Sequence, residues 1–111
     1  MAYDEDLSNR IRALMADEEG VTEKEMFGGL AFLIGGHMSV SASGQDDLLV
    51  RCDPAETEEL ASKPYVSRFV MRDREMDGWL RVAPEGLVTK RQLQRWVRLS
   101  VSYARSLPPK D

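Results

Sequence analysis

This sequence predicts an α+β fold: an antiparallel sheet of about five strands flanked by three helices. Three observations carry the prediction. Apolar residues recur at helical spacing near both ends of the chain. The short apolar runs between them are separated by glycine-containing turns. Helix-capping residues punctuate the middle and the start of the last segment. The resulting order is helix, four strands, helix, two strands, helix, with the first strand short. Such segregated runs place helices on an antiparallel sheet rather than between parallel strands.

The elements follow in turn. Leu7, Ile11, Leu14 and Met15 fall on one stripe of a helix from about Asp4 to Ala16. Asp4 and Asp6 suit its positive N-terminal end, and Gly20 lies just past its finish. Val21 to Met26 reads as a short extended segment. Gly28-Gly29 then follows Met26-Phe27 and precedes an apolar run. Glycine weakens a strand interior, so this pair marks a bend that sends Leu30 to Ile34 back as a buried strand. Gly35-Gly36 suits a two-residue hairpin turn into Met38 to Ser43. A second turn at Ser43 to Asp46 leads to Asp47–Arg51, completing a meander.

Asp53 is placed as an N-cap, with Pro54 at the first helical position and Glu56 where it would close a capping box. That helix runs to about Ser62 and is stopped by Pro64. Arg68 to Met71 and Met76 to Val82 form two further strands around a turn containing Asp73. Thr89 with Gln92 is a capping box for a long last helix to about Ser106, ended by Pro108-Pro109. Leu93, Val97, Ser100, Val101 and Ala104 form its core stripe. Trp96, Leu99 and Tyr103 widen the apolar arc to about half the circumference, beyond the ~100° of an ordinary surface helix. Arg91, Arg95, Arg98, Ser102 and Arg105 occupy the opposite arc.

Composition narrows the class. The 111 residues suffice for one domain, and 42% apolar with 31% charged residues is globular rather than disordered. No apolar run reaches the ~20 residues of a membrane helix, and the acidic N-terminus lacks a signal core. A lone cysteine, Cys52, excludes an internal disulfide and fits a reducing cytoplasm. The net charge of −4 is unevenly spread: acids dominate residues 1–25, whereas Lys90, Arg91, Arg95, Arg98, Arg105 and Lys110 meet no acid over residues 90–110. Such asymmetry steers partners, or else complements within the fold.

Catalytic signals are missing. His37 is the only histidine and directly follows the hairpin glycines; with one cysteine it cannot assemble a zinc site. Cys52 precedes a helix start, which can activate a thiol, but lone cysteines at strand ends are usually buried. Asp46/Asp47, Glu58/Glu59 and Glu18/Glu19 are adjacent carboxylates that read as solubilising charge. Gly28-Gly29 lack the trailing Gly-Lys-Ser/Thr of a phosphate loop. Neither a catalytic residue nor a cofactor or metal is expected.

Met26-Phe27-Gly28-Gly29-Leu30-Ala31-Phe32, Gly36-His37-Met38, Leu49-Val50-Arg51 and Met76-Asp77-Gly78-Trp79-Leu80-Arg81-Val82, followed by the Thr89-to-Leu107 helix, resemble the TfoX N-terminal domain family. Lys24 stands where many members carry arginine. The resemblance implies a curved antiparallel sheet flanked by helices, similar to secretion chaperones, and no catalytic residues. It implies structural roles for Met26, Phe27, Gly28, Gly29, Gly78 and Trp79. Full-length relatives, the TfoX/Sxy competence regulators, are transcriptional coactivators with an added C-terminal domain of the helix-hairpin-helix kind. A chain ending at Asp111 leaves no room for that domain, and stand-alone members are small bacterial proteins.

Three functional expectations follow. The first is a non-enzymatic, cytoplasmic regulatory or adaptor domain that binds protein and forms a homodimer, using Trp96, Leu99, Tyr103, Arg95 and Arg98. The second is a small-ligand pocket or unrecognised enzyme near Met26, Phe27, Cys52 and Trp79. The third is weak DNA or RNA association through Arg91, Arg95 and Arg98, extended by Arg72, Arg74 and Arg81 and opposed by an acidic pI of about 5.0.

Overall fold

A computed structural model of the chain describes residues 5–26, 29–43, 47–71 and 73–108. Its elements, in chain order, are α1 (Glu5–Leu14), β1 (Val21–Met26), β2 (Gly29–Ile34), β3 (His37–Ala42), β4 (Leu48–Arg51), α2 (Thr57–Ala61), β5 (Val66–Met71), β6 (Arg74–Val82) and α3 (Lys90–Ser106). The expected α+β order is present. The six strands, four before the middle helix and two after it as expected, form an open antiparallel sheet in the order β1-β2-β3-β4-β6-β5. β1 has the bounds that the sequence predicts for it. It pairs with β2 along its whole length, from Val21 opposite Ile34 to Met26 opposite Gly29. Its own charged sequence gives no apolar run to reveal this; the pairing is set by β2.

Register builds the core. Leu30, Ala42, Leu48, Val82 and Val66 lie across five strands in one row, and Phe32, Val40, Val50 and Leu80 form a second row on the same face. Onto these rows pack Leu7, Ile11 and Met15 from the α1 region and Leu93, Trp96, Val97, Val101 and Ala104 from α3. Leu60 of α2 and Leu87 complete the cluster. A fully buried Leu or Val stabilises by about 1.5–3 kcal/mol, so these rows outweigh any single cap or ion pair. Polar ties then fix the helices in place. Arg12 pairs with Glu23 of β1 at 2.7 Å, Arg105 with Glu18 at 2.6 Å, and Arg10 donates to the Leu87 carbonyl at 2.6 Å. The Ser100 hydroxyl donates to the Ser39 carbonyl beneath α3.

The start of the middle helix differs in detail from expectation, whereas its end, at Ala61 with Ser62 as C-cap, is where the sequence places it. The Asp53 carboxylate caps by accepting from the Ala55 N–H at 2.9 Å, but Glu56 makes no return bond to close a box. Residues Pro54–Glu56 wind as a 3-10 turn before α2 begins. The side chain of Thr57 is the reason for the tightening. It is buried, donates to the Pro54 carbonyl at 2.8 Å and accepts from the Gly78 N–H at 2.7 Å, which holds the turn against β6. At α3 the capping box is present in both directions: Gln92 N–H to Thr89 Oγ1 at 3.1 Å, and Thr89 N–H to Gln92 Oε1 at 2.9 Å.

The Gly28-Gly29 pair divides. Gly28 and Phe27 lie outside the described residues. Gly29 is already the first residue of β2, and its requirement is close approach rather than a turn. A Cβ there would stand 2.5 Å from the Ala42 carbonyl oxygen and 3.2 Å from Ser41 Oγ. Gly29→Ala is therefore expected to force β2 and β3 apart, with a loss of about 1–3 kcal/mol typical of overpacking. Urea unfolding checks this: a lower midpoint at unchanged slope is expected, and an unchanged midpoint would contradict the close approach.

Candidate functional site

The face of the sheet opposite the helices carries a different set of side chains. Ala31, Ser41, Leu49, Arg81 and Ser67 form one row across it, and Arg51 stands opposite Trp79 at its end. Leu49, Trp79, Phe69 and Leu33 are half-buried. Arg81 pairs with Asp47 at 3.0 Å and lies 5.7 Å from the Phe69 ring centre. Asp47 is buried beside Arg81; Asp46 is outside the described residues.

Arg51 connects the two segments that the sequence singles out separately. Its guanidinium lies 5.3 Å from the Trp79 ring centre and 5.8 Å from that of Tyr103 on α3. A cation over aromatic faces contributes about 0.5–1 kcal/mol at exposed sites. None of the described ion pairs involves Arg51, so its charge remains available to an outside anion. Gly78 makes the adjoining geometry of Trp79. It has φ +86°, takes the Cys52 N–H on its carbonyl at 2.8 Å, and sits where β6 leaves register with β5. A side chain at Gly78 would meet the Cys52 carbonyl and Pro54 at 3.3 Å.

On α3 the expected residues separate into two groups. Trp96 is only 5% exposed and belongs to the core, so it offers little surface to a partner. The wide apolar arc arises because Trp96 packs inward beside Leu93 and Val97. Leu99 and Tyr103 are half-buried on the flank, whereas Arg91, Arg95 and Arg98 are exposed. Arg95 lies 5.9 Å from the Trp96 ring centre. Arg105 is committed to Glu18 and to the Glu19 carbonyl, so the acidic and basic ends of the chain do complement each other there. Arg74 is exposed; Arg72 lies outside the described residues.

Of the residues expected around a pocket, the two described side chains, Cys52 and Trp79, do not come together. Cys52 is fully buried in the core, with Sγ 4.0 Å from Thr57 Oγ1, whereas Trp79 lies on the outer face. Burial pushes the Cys52 thiol above its ordinary pKa, away from the reactive thiolate. Phe27 and the side chain of Met26 are outside the described residues. His37 is half-buried, its Nε2 against the Pro108 carbonyl, beside Glu19 and Arg105. Among the described residues no group of three His, Cys, Asp or Glu side chains is placed to hold a metal.

A model of the TfoX N-terminal domain matches residues 13–104, from the end of α1 to Ala104 near the end of α3. The chain belongs to the TfoX N-terminal domain family. No curated protein and no solved structure matches it. The TfoX N-terminal domain is a non-catalytic family, and its match spans both the Arg51–Trp79 contact and the α3 flank. Among the described residues no helix is long and apolar enough to cross a membrane.

The burial difference on α3 gives a direct expectation. Trp96→Ala should cost about 3–5 kcal/mol of stability, the range for large core truncations. Tyr103→Ala should cost about 1 kcal/mol, the scale of a partly exposed ring and its cation contact. Urea unfolding of the two variants checks this, and equal losses would contradict the placement of Trp96.

Proposed function

We propose that this TfoX N-terminal domain is a cytoplasmic, non-enzymatic regulatory or adaptor domain that acts by binding protein and is linked to transcription regulation. The observation that carries the reading is the patch formed by Leu99, Tyr103, Arg51 and Trp79, with Arg95 and Arg98 beside it. Half-buried aromatic and leucine side chains next to arginines that lack carboxylate partners have the composition of a protein-binding surface. Its partner is a surface bearing carboxylates around an apolar centre. A second copy of the chain supplies carboxylates through exposed Glu5, Asp6 and Asp17, so a homodimer is included in the proposal. The fully buried Cys52 suits a reducing compartment.

A second reading, weak nucleic-acid binding, is favoured by the exposure of Arg91, Arg95 and Arg98 along one helix face. Phosphate contacts of that kind are lost steeply with salt. It requires binding at moderate salt that disappears when the three arginines are changed to glutamate.

Sedimentation equilibrium, with comparative affinity capture, tests the first reading on wild type and a Leu99→Glu/Tyr103→Glu chain. The expected result is wild-type self-association or a captured partner that the variant loses while keeping a folded circular dichroism spectrum. A monomeric wild type whose captured partners are unchanged in the variant would remove this surface from the account.

A further inference from the structure

We propose that the free edge of β5 takes up an extended, basic segment of a partner protein as an added strand. The inference rests on the protein-binding reading but uses a different face of the molecule. The sheet order leaves β1 and β5 as its edges. β1 is guarded: Glu23, Lys24 and Glu25 are consecutive and exposed, a pattern that resists pairing with another strand. β5 reads Val-Ser-Arg-Phe-Val-Met. Its single charge, Arg68, is bonded to Asp77 at 2.6 Å, and Val70 is 51% exposed. This edge carries no such run of exposed charge; its irregularity is the loss of register with β6 between Arg68 and Val70.

The backbone of β5 is aimed for such an addition. The Ala83 N–H donates to the Tyr65 carbonyl at 2.8 Å, so Tyr65 faces β6. Alternation in an antiparallel pair then turns Ser67 toward β6 and the N–H and carbonyl of Arg68 toward the open side. Alongside runs an open groove of about 600 Å³ between β5 and α2. Val66 and Val70 lie on its strand side, Ala61 and Ser62 on its helix side, and Glu58 and Glu75 contribute carboxylates.

Charge selects the occupant. Arg68 and Arg81 also line the groove, but each is already paired, with Asp77 and Asp47. Glu58 and Glu75 take part in none of the described ion pairs, so the uncommitted charge of the groove is negative. An added strand with β-branched residues toward the valines and Lys or Arg toward the two glutamates satisfies backbone, surface and charge together. A second β5 would bring only Arg68, a base already engaged. Nucleic acid would meet unpaired carboxylates.

The test titrates the ¹⁵N-labelled full chain with a capped peptide of alternating Lys and Val, about eight residues long to cover one strand and its flanks. Controls are the Glu/Val peptide and a Lys/Val peptide N-methylated on one edge. The proposal predicts amide shift changes centred on β5 and slowed exchange of the Arg68 amide. It also predicts affinity at least about tenfold above the Glu/Val peptide, a preference reversed by Glu58→Lys/Glu75→Lys. Shifts centred elsewhere, equal binding of the Glu/Val or N-methylated peptide, or concentration-dependent Arg68 shifts without peptide would each overturn it. Failure here, with partner loss intact in the Leu99→Glu/Tyr103→Glu chain, would sink the edge proposal and leave the protein-binding reading standing.

Discussion

The alignment of two apolar rows across the sheet is the constraint on which the rest of this structure depends. Each row takes one side chain from each of several strands, and α1 and α3 close over both. Strand side chains alternate faces, so a slip of one residue in any of these pairings would send that strand's apolar residues to the wrong side. The helices therefore enforce register as much as they bury surface. Close approach at Gly29 and the bond from Ser100 to the Ser39 carbonyl are local consequences of the same packing.

Covering one face leaves the other to different chemistry. The outer rows hold small residues, half-buried aromatics and arginines rather than a second apolar layer. Arg51 shows how that surface and α3 meet. It belongs to β4, stands opposite Trp79 by register, and lies 5.8 Å from the ring centre of Tyr103 on α3. A long side chain can lay its stem along apolar neighbours while its charge stays near water. The family match then accounts for the shared framework, and the surface of this chain decides what it meets.

Local signals were legible and long-range ones were not. Helical spacing located α1 and α3, glycines and capping residues located their boundaries, and the exposed arc of Arg91, Arg95, Arg98 and Arg105 followed from periodicity alone. The extent of β1 is legible in Val21 to Met26, but its pairing is not, because an edge strand rich in charge has no periodic apolar signal; its partner defines it. Arg51 stands in the Leu49-Val50-Arg51 segment of the family resemblance, but nothing in the sequence links it to Tyr103, since their proximity depends on register and helix placement. Apolar width on a helix does not say how deeply the helix lies, so the sequence groups Trp96 with Leu99 and Tyr103, whereas burial separates it from them. Cys52 and Trp79 flank Gly78 in space, yet opposite strand faces keep their side chains apart.

Native-state hydrogen exchange tests the central claim most directly, because it separates one cooperative unit from several. If the two rows hold sheet and helices together, the slowest amides of β2, β3, β4 and α3 will share one opening free energy, equal to that of global unfolding. An α3 that exchanges through a distinctly cheaper opening while the central strands stay protected would contradict the account.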